Sequence, residues 1–183
     1  FAAEKAKHIQ LFKRFHEAFT QGFGQECEVI GPSEAIAKVV LAHDPMSVAL
    51  VILMIEWMTQ SHYVDSVRGN AKLEPLFANL LRCHWIEEAQ HAKLDTLMVG
   101  SIAEKMTQQQ FKQAVDGFLE IGMFLDTGFK QQAEFNTAAL ERAIGRKLPE
   151  DEREALTEQQ HQALRWTYLG SGMRHDKFRA TVG

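Results

Sequence analysis

Glutamate and histidine three residues apart on a helix share one face, so a Glu-x-x-His pair can offer a carboxylate oxygen and an imidazole nitrogen to a single metal ion. The chain has two such pairs, Glu88 with His91 and Glu158 with His161. With 17 glutamates and 8 histidines in 183 residues, about one pair is expected by chance, so the pairs alone decide little. The interval to an upstream acid decides more. Glu56 precedes Glu88 by 32 positions, and Asp126 precedes Glu158 by the same 32. That is the length of going half-way down one helix, turning, and returning half-way up the next, so each acid can meet its pair across an antiparallel hairpin. Four carboxylates and two imidazoles make a mixed oxygen and nitrogen donor set. Such a set suits iron or manganese better than metals that prefer thiolate or all-oxygen sites, and it leaves positions open for dioxygen, peroxide or water.

Neighbouring residues predict burial for the first half of this constellation. Glu56 directly follows the eight apolar residues Val48 to Ile55, and a carboxylate inside an apolar helix must be neutralised, paired or bound to a metal. His84, Glu88, His91 and Asp95 fall on one helical face with Leu73, Phe77, Leu80 and Met98 above and below. His84 and Asp95, one turn either side of the pair, are placed to orient the ligands by hydrogen bonding. Asp126 continues the stripe Val115, Leu119, Gly122, Phe129 and Ala133. Glu120 is an alternative ligand if the register differs by about two turns. His175 is a further alternative: it returns to nearly the face of His161, but about four turns away, too far for both to bind one cluster. The second Glu-x-x-His lies in the polar run Thr157-Glu158-Gln159-Gln160-His161, where a solvated helix face competes with ligation. His62, His43, His16 and His8 carry no spacing signal.

Helices must position these groups, because apolar residues recur at three and four rather than alternating. Five long helices are predicted, at about 2–21, 45–68, 71–99, 107–144 and 149–178, the last with Gly170 and Gly172 as points where it can break or bend, and a short one ends near Ala42. Asp44-Pro45 supplies an N-cap and a proline at the first helical position, and Thr107 with Gln110 forms a capping box. The expected division is a single domain, 1–183, with a metal-binding bundle over 45–178 and a helical extension over 1–43. Net charge is -4 with scattered basic residues, which gives no electrostatic footprint for nucleic acid or an anionic membrane. The longest apolar run is far shorter than the roughly 20 residues of a membrane span, no secretory leader opens the chain, and Cys27 and Cys83 have no paired spacing. A cytoplasmic protein is the expectation. Phosphate loops, dinucleotide fingerprints and nucleophile elbows are absent from the sequence.

The order of one acid, Glu-x-x-His, a second acid and a second Glu-x-x-His on four helices resembles the ferritin-like di-iron carboxylate superfamily. The likeness covers about residues 45 to 178 and is clearest in Cys83-His84-Trp85-Ile86-Glu87-Glu88-Ala89-Gln90-His91. It departs from the usual pattern by an aspartate at 126, and it does not choose between the ribonucleotide-reductase-like and oxygenase branches. The resemblance implies an all-α, antiparallel four-helix bundle with an additional N-terminal helix. It implies two iron ions, with manganese as the alternative. Glu56 and Asp126 would be terminal ligands, Glu88 and Glu158 bridges, and His91 and His161 one imidazole for each metal. The implied activity is an oxidoreductase that activates dioxygen to oxidise a small organic substrate, and a homodimer is compatible with it. Ferritin-type iron oxidation and storage, a metal-dependent hydrolase and a metal-free structural bundle are the competing functions.

Overall fold

The computed structural model describes residues 2–183, and they are all-helical, without a strand among them. The helices are α1 (Ala2–Phe23), α2 (Ser33–Val40), α3 (Pro45–His62), α4 (Pro75–Ala103), α5 (Gln108–Ile144), α6 (Glu150–Arg165), α7 (Ser171–Arg174) and α8 (Asp176–Val182). Two π-helical turns, Tyr63–Val67 and Trp166–Gly170, continue α3 and α6 respectively. No helix is long and apolar enough to cross a membrane among the described residues.

Local chemistry sets the helix starts. Asp44 Oδ1 accepts from Met46 N at 2.8 Å and caps α3, with Pro45 at its first position. The expected capping box opens α5: Thr107 N donates to Gln110 Oε1 at 2.8 Å, and Gln110 N to Thr107 Oγ1 at 3.3 Å. α4 starts four residues later than the spacing predicts. Glu74 is its N-cap, accepting from Phe77 N at 2.7 Å, and Pro75 takes the first helical position, where its missing N–H costs nothing. Gly100, the predicted stop of α4, lies inside the helix, which runs on to Ala103.

The expected fifth helix is interrupted around Gly170 and Gly172, the points at which the sequence allows a break or bend. It widens into the π turn at Trp166–Gly170, resumes as α7 and stops at His175, whose extended backbone starts α8. Close packing at the glycines accompanies these irregularities. A Cβ on Gly170 would meet the Trp166 ring at 2.8 Å, and one on Gly172 would overlap the backbone carbonyl oxygen of Met54.

The chain forms two compact units. One contains 32–126 and 164–183. Its centre is α3, with Met46, Leu50, Leu53, Met54 and Glu56 at 2% exposure or less, as the unbroken apolar run predicts. α4 packs along α3 in the antiparallel sense. The indole Nε1 of Trp57 donates to Thr96 Oγ1 at 3.2 Å, and three residues further along α3 Gln60 Nε2 donates to the carbonyl of Trp85, earlier in α4, at 3.1 Å. α7 closes on α3 through Gly172, and Phe178 of α8 is buried, its ring 5.8 Å from that of Phe118. Ser47 Oγ donates to the Ala114 carbonyl at 2.8 Å, tying α3 to the first part of α5.

The other unit contains 1–31 and 127–163. Gln132 holds the connection after α1 through both Ile30 N (3.0 Å) and the Glu28 carbonyl (2.9 Å), and Arg142 holds the Glu26 carbonyl at 2.8 Å. Thr137 and Thr157 hydroxyls meet at 3.0 Å between α5 and α6. Gly145, at φ +69°, makes the turn after α5 in a left-handed conformation that side chains disfavour.

The expected faces are buried at Glu88, His91 and Asp95 of α4 and at Ala133 of α5, but some of their apolar members are not. On α4 the buried positions are Glu88, His91, Ala92, Asp95 and Val99, while Met98 is 44% exposed. On α5 they include Ala114, Phe118, Ile121 and Ala133, while Leu119 is 50% exposed.

Candidate metal centre

Glu56 from the middle of α3 and Glu88 and His91 from the middle of α4 come together in the first of these units. One ligand atom from each lies within 4.8 Å of the other two, and all three residues are buried, at 2%, 2% and 3% exposure. The antiparallel pairing of α3 and α4 is what brings residues 32 positions apart to one level, and the three-residue spacing puts Glu88 and His91 on one face. Glu88 Oε2 is 2.6 Å from His91 Nδ1. Its other oxygen, Oε1, is 2.9 Å from Nε2 of His84, one turn earlier on the same helix. Asp95, one turn beyond His91, is buried at 2% exposure.

Two carboxylates taken this far from water are costly unless a cation or proton compensates them. Two buried carboxylates and an imidazole converging on one point therefore fit a divalent first-row ion such as iron or manganese, and they contain none of the sulfur that would favour softer metals.

Sequence comparisons add nothing to this. No family model, curated protein or solved structure matches the chain.

The remaining predicted residues have other neighbours. Asp126 is held by Arg165 in a two-point ion pair, Nε to Oδ1 at 2.8 Å and Nη2 to Oδ2 at 2.6 Å. Glu158 and His161 lie in the second unit. The Glu158 side chain is 63% exposed, accepts from Gln162 Nε2 at 2.6 Å, and stands 3.9 Å from Nδ1 of the buried His161. Glu120 is 64% exposed and 3.6 Å from His43 Nε2. His175 stacks on Trp57 with ring centroids 4.5 Å apart, and its Nδ1 accepts from Lys177 N at 3.2 Å to cap α8. Burial lowers the His175 pKa below its ordinary value, against the opposing pull of Asp176.

Sequence reasoning missed Arg165. It has no motif of its own and lies 39 residues from its partner. Its position one turn after His161 is the only signal that could have drawn attention to it.

A second aromatic pair flanks the cluster. Trp85 stacks on Tyr63 at 4.6 Å, and the Arg68 guanidinium lies 5.6 Å from the Trp85 ring centre. These rings and the hydrogen bonds from Trp57 and Gln60 fix the α3–α4 register on both sides of Glu88 along α4, and just beyond Glu56 along α3.

Proposed function

We propose that this protein binds iron, or alternatively manganese, at Glu56, Glu88 and His91 and uses it to activate dioxygen for the oxidation of a small organic substrate. The observation that carries the proposal is the convergence of two buried carboxylates and a buried imidazole within 4.8 Å. The antiparallel four-helix di-iron architecture of the ferritin-like superfamily, with a pair of ions, belongs to the same proposal and comes from the resemblance of the ligand order. Iron held by Glu56, Glu88 and His91 would supply redox and Lewis-acid chemistry, with the organic substrate as a source of electrons.

The chain's own residues do the rest. Glu56 and Glu88 offset the ion's charge, and His91 adds a neutral nitrogen that keeps the site's net charge low. The 2.6 Å contact between Glu88 and His91 limits how far either ligand must move on loading. Leu53 and Met54, both essentially buried, precede Glu56 on α3 and keep bulk water from its carboxylate.

Loading the protein with ferrous ions under anaerobic conditions and then admitting dioxygen tests this reading. The expected result is iron retained through desalting and new near-ultraviolet to visible absorption when oxygen arrives. Iron retained without any oxygen response would turn the reading toward hydrolysis, and a large cage-sized assembly that accumulates many ions per chain would turn it toward storage. Protein that retains no iron or manganese would overturn it.

A further inference from the structure

The two oxygens of Glu88 have different imidazole neighbours, and this bears on where a second ion would sit. His91 Nδ1 lies 2.6 Å from Oε2, and His84 Nε2 lies 2.9 Å from Oε1. Two ligand atoms that are each about 2.1 Å from one ion, and cis to each other, stand about 3 Å apart. Both contacts are close to that spacing, so each marks a position an ion could take with little movement of its ligands. A carboxylate with one imidazole at each oxygen has the arrangement needed to bridge two ions.

Taking the Glu88 bridge from the resemblance, we infer that His84, which the resemblance does not include among the ligands, supplies the imidazole for the second ion. This rests on the metal-binding function proposed above. Two of the side chains that the resemblance assigns to the second ion hold other partners: both oxygens of Asp126 are engaged by Arg165, and Glu158 is 63% exposed and bound to Gln162. His84, by contrast, is already on the bridging carboxylate. Its side chain is 15% exposed. A histidine that only oriented Glu88 would donate an N–H to Oε1. A glutamine reproduces that hydrogen bond but is a poor ligand for these metals.

The test is an anaerobic titration of wild-type protein and the His84→Gln variant with manganous ions, with bound metal counted per chain after desalting and the loaded samples examined by electron paramagnetic resonance. Wild type is expected to hold two ions giving the spectrum of an exchange-coupled pair, and His84→Gln one ion giving the spectrum of an isolated centre. A His84→Gln protein that still holds a coupled pair would overturn the inference, as would a wild type that holds a single ion. A wild type that holds none would instead sink the metal-binding function itself. Pulsed resonance adds a second readout: two coordinated imidazole nitrogens per coupled pair in wild type, one of them lost in His84→Gln and neither lost in His161→Gln, supports the inference, whereas loss of one in His161→Gln, or a single imidazole in wild type, overturns it.

Discussion

Glu88 is buried between two imidazoles, Glu56 is buried opposite it, and the remaining charged residues near the helix middles are paired in ways that can be tested one at a time. Removing Arg165 as Arg165→Gln leaves Asp126, whose side chain is 26% exposed, without its two-point partner. Because both groups keep access to water, the expected loss is about 1 kcal/mol, read as a lowered denaturation midpoint. A double-mutant cycle with Asp126→Asn should recover most of it as coupling energy. Glu141 gives a pH signature. Its carboxyl sits below the ordinary 4.5 because Lys147 Nζ donates to it, Leu148 N donates as well, and Arg153 adds charge, against the opposing effect of desolvation. A depressed carboxyl contributes stability that is fully present above the unfolded value of 4.5 and is lost as pH falls through the lower folded value. The stability gap between wild type and Glu141→Gln is therefore expected to be constant near neutral pH and to shrink below about pH 4.5, measured by thermal unfolding across the acid range. A gap that widens with acidity would contradict the assignment.

Element-scale predictions turn on glycines that look alike in the sequence. Gly172 of α7 lies against the Met54 carbonyl oxygen, where a Cβ overlaps backbone. Gly172→Ala should cost roughly 1–3 kcal/mol through overpacking. Gly122 is inside α5 with nothing within 4 Å of an added Cβ, so Gly122→Ala should gain up to about 1 kcal/mol from helix propensity. Chemical denaturation of the two variants separates them by sign. The helix starts at Pro45 and Gln108 were legible because caps are local chemistry. An interruption near Gly170 and Gly172 was legible from the glycines, but its place at His175 was not, because it depends on α7 seating on α3 through Gly172, a contact between residues far apart in sequence. The site divides along the same line. Glu56, Glu88 and His91 were legible because one hairpin and one helical turn bring them together, both of which leave a fixed spacing. Arg165 was not legible as the partner of Asp126, because an ion pair across 39 residues leaves no spacing rule. The π turns at Tyr63–Val67 and Trp166–Gly170 also left no pattern, since a single wide turn does not disturb the recurrence of apolar residues enough to be read.

For the whole molecule, the all-helical class follows from the absence of alternating patterns, and the division into two compact units follows from contacts that the uniform composition does not reveal. Metal binding by the buried Glu56, Glu88 and His91 is the proposal on which the function rests. Ligand binding to the folded state alone stabilises it by about 2.7 kcal/mol at a hundredfold excess over the dissociation constant. The most direct measurement is therefore thermal unfolding with and without ferrous or manganous ions, alongside metal analysis, for wild type and Glu88→Ala. Wild type is predicted to retain metal and to unfold several degrees higher when it is present, with both effects lost in Glu88→Ala. Wild-type protein that neither retains nor is stabilised by either ion, or a Glu88→Ala protein with undiminished metal content, would contradict the claim.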